Sequence, residues 1–217
     1  MFRIVLMSAI IFTGALPQAW ANVVFYTDKT SFAAAAYTSP LEDFENTGAS
    51  VEVPLPSFSH NGVTYTGLAG TPFPNVYIVA PGATSYGAGV SQSVPTSVLA
   101  GNGDESFRVA FNVSRTAVGF DVYLNGLGAA QVRVCGGTDL LGSYDFNPAE
   151  NDLTYLGFTS TTAIDAFEFT STDGRILNTG IDNIATDIPE PGSLALLGMG
   201  LAGFLGLRRR AGTDTLA

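Results

Sequence analysis

The chain predicts an all-β fold, an antiparallel two-sheet β-sandwich of jelly-roll-like form, with an apolar helix at either end. Three observations predict it. Short runs of alternating apolar and polar residues recur about every ten positions, the pattern of half-buried strands in a sandwich. Gly, Asn and Asp break the runs, and 25 glycines among 217 residues suit many tight turns. No long amphipathic helix interrupts the series, which argues against a parallel α/β sheet. No internal repeat or heptad is present, and the length allows one domain once the two ends are set aside.

The first 21 residues read as a secretory signal peptide. Arg3 supplies the positive charge, an apolar run follows, Pro17 ends it, and Ala19-Trp20-Ala21 offers the small residues that signal peptidase accepts. Maturation is expected at Asn22. Val23 to Thr27 is rich in β-formers and opens the domain as a strand. Asp28 caps a short helical piece over 29–37, where four alanines run together, and Pro40 ends it. A strand is expected over 41–45, with Phe44 inward and Asp43 and Glu45 on the opposite face.

Strand signals then dominate. Residues 57–59 and 63–66 flank His60-Asn61-Gly62, and Asn-Gly is a strong tight-hairpin signal. A short strand covers 75–79. Residues 80–104 are rich in Gly, Ser and Pro and read as a long surface loop with one short strand near Val98. Further strands are expected over 107–111, 118–124, 132–134, 141–146, 154–159, 163–170 and 181–185, with Gly136-Gly137 turning the 132–146 hairpin.

Between Asn22 and Asp187 the chain carries 17 acidic and five basic residues, a net charge of −12. Such a domain repels phosphate backbones, so nucleic acid is not an expected partner. Calcium and neutral sugars remain compatible, although solubility alone accounts for most of the charge. Cys135 is the only cysteine, so no intramolecular disulfide forms. Its place at a strand end predicts an inert, half-buried thiol.

The residues for catalysis are largely missing, and no catalytic residue is assigned. A Ser-His-Asp triad would have to use His60, the only histidine, which is expected in a solvated turn. Asp104-Glu105 and Glu150 with Asp152 make carboxylate pairs, both in turn-like contexts. The sharper expectation is structural calcium, which takes several oxygen ligands. Asp43 and Glu45 on an early strand and Asp182 on the last one would converge if those strands were neighbours; otherwise each is a solvated edge charge. For sugar binding the available aromatics are Tyr65, Tyr77, Tyr86, Tyr123, Tyr144 and Tyr155. Tyr86, in the Gly-rich loop, is the one packing explains least.

The C-terminal stretch from residue 188 onward carries the most specific pattern. Pro189-Glu190-Pro191 precedes a Gly/Leu/Ala-rich run over 194–207, and Arg208-Arg209-Arg210 closes it. A helix over 192–207 would be about 24 Å long, slightly short of the roughly 30 Å hydrocarbon core, a gap that snorkelling arginines and a thinned bilayer can close. The arginines bias that end to the cytoplasm and leave the rest outside. Gly198-x-Gly200-x-x-Gly203 matches a dinucleotide fingerprint in letters only, because no βαβ unit surrounds it. Gly198, Ala202 and Gly206 instead form a small-residue face suited to another helix.

These elements, in this order, resemble the PEP-CTERM sorting signal of Gram-negative bacteria. The resemblance implies recognition by an exosortase, a membrane-embedded cysteine protease-like transpeptidase. Such proteins commonly come from bacteria that make extracellular polysaccharide. Before processing the C-terminal helix would anchor the chain in the membrane; afterwards it would lie at the cell surface or outside. An ordinary C-terminal anchor would not need the P-E-P entry. Asp43-Phe44-Glu45, Asn61 to Tyr65, Ala117 to Val122 and Ile181 to Ile184 also resemble the β-sandwich cargo of that family. The organisation expected is therefore 1–21 signal peptide, 22–187 β-sandwich, 188–217 sorting signal. The function expected is a non-enzymatic cell-surface or extracellular-matrix protein; a lectin-like module that binds exopolysaccharide is the first alternative and a cryptic hydrolase the second.

Overall fold

Two strands of 17 residues each run through both layers of the molecule: β7 (Phe107–Tyr123) and β10 (Tyr155–Ser171). The computed structural model describes residues 22–47, 53–69, 74–79, 81, 96–102, 106–123, 129–146, 154–172 and 180–187. The expected signal peptide, Tyr86, the two loop carboxylate pairs, the P-E-P motif, the apolar C-terminal stretch and the arginine cluster lie outside those residues.

The remaining elements are β1 (Val23–Tyr26), α1 (Lys29–Ala35), β2 (Thr38–Glu42), β3 (Ser57–His60), β4 (Val63–Gly67), β5 (Asn75–Val79), β6 (Val98–Asn102), β8 (Ala130–Gly136), β9 (Asp139–Phe146) and β11 (Gly180–Asp187). All pairings are antiparallel. The N-terminal part of β7 and the C-terminal part of β10 join one layer, ordered β3-β4-β7-β10-β8-β9. Their other ends join the second layer, where β10 meets β1 and β7 meets β11. One edge of β11 is shared: β6, itself paired with β5, takes Gly180 and Ile181, and β2 takes residues 184–187. The β7–β10 register shifts between Thr159 and Ile164 and again before Ala166, where the strands bend from layer to layer.

The sandwich expected from the alternation is present. The alternation predicts two strands in place of each of β7 and β10, because Asn112-Val113-Ser114-Arg115-Thr116 and Ser160-Thr161-Thr162 look like turn chemistry. Each strand in fact runs on through its segment, and it is there that the β7–β10 ladder shifts register.

Phenylalanine fills the space between layers. Phe120 stacks on Phe167 at 4.8 Å and Phe107 on Phe169 at 5.6 Å, while Phe158 meets Phe167 edge-on at 5.8 Å. All five are fully buried, each contributing about 1.5–3 kcal/mol by burial. Helix α1 is seated by one side chain. Asp28 caps it by accepting from the Ser31 N–H at 2.8 Å, and Phe32 sits over Gly157 and Gly119.

Three local expectations change. The helix stops at Ala35, and Pro40 falls inside β2, where pairing runs along one side only. That strand ends at Glu42. Residues 43–46 turn, with Phe44 left-handed at φ 58°, so Asp43 and Glu45 do not share a strand face. Cys135, expected half-buried, is buried in β8, and burial pushes its thiol pKa up.

Candidate functional site

Among the described residues three non-glycine residues hold positive φ: Phe44 at 58°, Asn61 at 47° and Asn183 at 50°. Asn61 and Asn183 line one cleft, and Phe44 follows a third lining residue, Asp43. Such conformations cost about 1–3 kcal/mol each and gather where a site over-determines the backbone. The cleft measures about 300 Å³ and is lined by Pro40, Leu41, Glu42, Asp43, Asn61, Asn183 and Ala185.

Each positive φ has a local cause. Asn61 and Gly62, at φ 74°, form the two-residue turn of the β3–β4 hairpin, where both central positions need left-handed backbone. Asn183 sits where β11 slips register against β7, between Asp182 and Ala185. Phe44 is held by Glu42. One carboxylate oxygen accepts from the Asp43 N–H at 3.1 Å and the Phe44 N–H at 2.9 Å. The turn drives the Phe44 ring into the core against Tyr65, 5.4 Å between centroids.

Glu42 is the buried hub of the cleft floor. Its second oxygen receives His60 Nδ1 at 2.6 Å and the Asn61 amide at 3.4 Å. An ionised carboxylate only accepts, so Nδ1 carries the imidazole proton. The Glu42 side chain is wholly buried, while that of His60 is 27% exposed. His60 is therefore not a solvated turn histidine: it is tied to a buried acid. The hydroxyl of neighbouring Ser59 is engaged by Thr64 at 2.9 Å, so the described contacts assemble a carboxylate–imidazole pair without a third, nucleophilic member. Below them the Tyr65 hydroxyl is buried with no hydrogen-bond partner among the described residues. Burial, then the Glu42 charge, pushes its pKa well above the ordinary phenol value.

A second polar network runs from the cleft wall to α1. Asn183 donates its amide to Asp182 at 3.0 Å and to Asp121 at 2.9 Å, and Lys29 pairs with Asp121 at 2.7 Å. Asp182 is fully buried and accepts from Thr96 at 2.6 Å and the Asn183 N–H at 2.6 Å. Its pKa is pushed up to about 6, chiefly by burial, with the Asp121 and Glu45 charges adding to the rise.

The residues expected to hold calcium are placed differently from one another. Asp43 lines the cleft and accepts from the Glu45 N–H at 3.2 Å. Glu45 turns away to take the Ser97 N–H at 2.8 Å and its hydroxyl at 3.2 Å. Asp182 is spent on Thr96 and Asn183. Among the described residues no three Asp, Glu, His or Cys side chains form a group suited to a metal ion. As arranged, Asp43, Glu45 and Asp182 do not form a calcium cage: protein donors engage both oxygens of Glu45 and of Asp182 and one of Asp43, and the three are not grouped.

Of the aromatics considered for sugar contact, Tyr65, Tyr77 and Tyr155 are buried, and Tyr123 and Tyr144 are half-buried. Tyr65 packs between Phe44 and Phe58, and Tyr155 packs against Phe32. They serve the core. Glu42 and Asn183 escaped the sequence reading, although an Asp-Asn pair inside an Ile-rich strand signals a bulge. What the cleft offers chemically is hydrogen bonding, from two acids and two amides beside an apolar wall.

Residues 187–210 match a family model described as the PEP-CTERM protein-sorting motif. The chain is thus an exported β-sandwich protein that carries a PEP-CTERM signal for envelope sorting. Comparison with curated proteins gives no match. Among solved structures, the family 29 carbohydrate-binding module CBM29_1 from Piromyces equi is 11% identical, with a TM-score of 0.39, over 70% of this chain and 90% of that one. A further family 29 module is 10% identical, with a TM-score of 0.35, over 69% of this chain and 87% of that one. Among the described residues no helix is long and apolar enough to cross a membrane.

Proposed function

We propose that this is a non-catalytic surface or extracellular-matrix protein, secreted after signal-peptidase cleavage at Asn22 and handed by its C-terminal motif to an exosortase. The match of residues 187–210 to the sorting motif carries this reading. The apolar stretch would insert with Arg208, Arg209 and Arg210 at the cytoplasmic face, leaving Pro189, Glu190 and Pro191 at the outer surface. Each proline of the motif biases the residue before it toward extended backbone, and an extended segment is the shape a protease cleft accepts. The lack of catalysis is supported by His60, whose imidazole serves Glu42 and whose neighbour Ser59 is engaged elsewhere.

Mutation separates recognition from anchoring. Glu190→Ala is expected to leave the tail attached with insertion unchanged, because Glu190 is the only charge in the motif. Replacing all three arginines by neutral residues is expected to weaken retention and orientation instead. Immunoblots of a C-terminal tag, on fractionated cells of an exosortase-bearing host, read both. A wild-type tail retained throughout, with Glu190→Ala identical, makes the stretch a plain anchor.

The cleft favours one second reading, a lectin-like module for exopolysaccharide. Asn61, Asn183 and Asp43 present the amides and carboxylate that bind sugar hydroxyls. Affinity electrophoresis of the purified domain in the producer's own polysaccharide tests it. Retardation that Asn183→Ala reduces supports it, and equal mobility with and without polysaccharide removes it.

A further inference from the structure

We propose that Asp187 is a clasp that fastens β11 and bars the processing enzyme from that strand, so that tail removal is confined to residues from Ile188 onward. This rests on the sorting reading above, and it assigns a role to a residue just outside the P-E-P motif.

The end of β11 is unusually well fastened. The Asp187 carboxylate takes the Thr116 N–H at 3.0 Å, the Thr116 hydroxyl at 2.8 Å and the Ala117 N–H at 3.2 Å. Its carbonyl oxygen takes Arg115 Nη1 at 3.1 Å, while Arg115 Nε stays buried without a partner among the described residues. Bonds to a carboxylate are the strong kind. The backbone is held from both sides as well. Thr186 pairs with Ser39 of β2 and Val118 of β7, and Asp187 pairs with Thr38. Thr186 is buried.

Strand ends fray by default and loose segments are where proteases act. Here the last strand is pinned one residue short of Pro189, since Ile188 alone separates Asp187 from the motif. A protease holds its substrate as an extended segment on either side of the bond it cuts. A strand whose N–H and C=O groups are already paired on both edges cannot supply that segment. Removal of the tail breaks one peptide bond; its acyl group passes to water or to an acceptor amine, and the proton released goes to the nitrogen of the departing tail. With the clasp closed, that bond lies at or beyond the carbonyl of Asp187. The processed domain then keeps β11, and with it the buried residues from Ile181 to Thr186, intact.

Intact-mass measurement of the domain recovered from an exosortase-bearing host tests this. Wild type is expected to give one C-terminus, at Asp187 or beyond. Asp187→Ala leaves the Thr116 and Ala117 N–H groups unpaired, and its C-termini are expected to spread upstream into β11. Thr116→Val removes one bond of the clasp and is expected to give a smaller upstream fraction. It decides the matter if Asp187→Ala does not accumulate. Unchanged termini in every recovered variant overturn the clasp while leaving the sorting reading standing. A wild-type protein that keeps its whole tail overturns the sorting reading and the clasp with it.

Discussion

Asp182 is buried with no cationic partner among the described residues, and the fold opposes its ionisation. Its folded pKa is about 6, against an ordinary value near 3.9 in the unfolded chain. The native state therefore holds this proton more tightly than the unfolded one. By linkage, stability falls as pH rises between about 4 and 6, and the loss is complete above that window. Asp182→Asn is expected to flatten this fall in melting temperature measured from pH 4 to 7. A variant with the wild-type slope would show that another group carries it. The same protein tests the cation expectation. With its oxygens filled by Thr96 and Asn183, the melting curve is expected to be the same in chelator and in calcium at fixed ionic strength. A rise with calcium that Asp182→Asn abolishes would restore the cage on Asp43, Glu45 and Asp182.

Glu42 carries the opposite kind of weight, since every described bond it makes holds something in place. Glu42→Ala strands two N–H groups and the His60 imidazole, and should cost about 3 kcal/mol in urea unfolding. A loss under about 1 kcal/mol would mean that water replaces the carboxylate without penalty. Neither role was legible in the sequence. Asp43 and Glu45 looked like the functional acids because alternation put them on one face. That reading fails at Phe44, whose left-handed turn ends β2 at Glu42, two residues earlier. A turn of this kind depends on a buried glutamate and a distant hairpin, which periodicity cannot register.

The elements were easier to read than their joints. Val63 to Gly67, Asn75 to Val79 and Gly180 to Asp187 alternate or run apolar, and each forms the strand expected. The long strands β7 and β10 read as two each because Ser, Thr and Asn favour turns locally, and those segments are where their shared register shifts although each strand continues. Helix α1 shows the converse, where small residues on other strands make an element fit. A Cβ on Gly157 would come within 2.6 Å of Phe32 Cδ2. Gly157→Ala should therefore lift α1 and cost about 1–3 kcal/mol. Reduced protection of the Phe32 and Ala36 amides in hydrogen exchange is the expected sign. Wild-type stability and protection would mean that the helix shifts freely on the sheet.

At the scale of the molecule, the fold and its destination are written in different parts of the chain. The sandwich comes from dispersed alternation and an aromatic core. The destination comes from a contiguous stretch that begins at the last residue of the last strand. That is why the sorting signal was legible almost letter by letter, while the cleft, assembled from residues 40–43, 61 and 183–185, was not. The acidic surface and the absence of disulfides suit an exported domain that depends on packing alone.

The most direct test is the mass and location of the protein in one host with and without its exosortase. With the enzyme, the expected chain begins at Asn22, lacks the segment after the motif and is found at the surface or in the medium. Without it, the expected chain has the same start, keeps the full C-terminal tail and stays in the membrane fraction. Identical mass and fractionation in the two strains would contradict this.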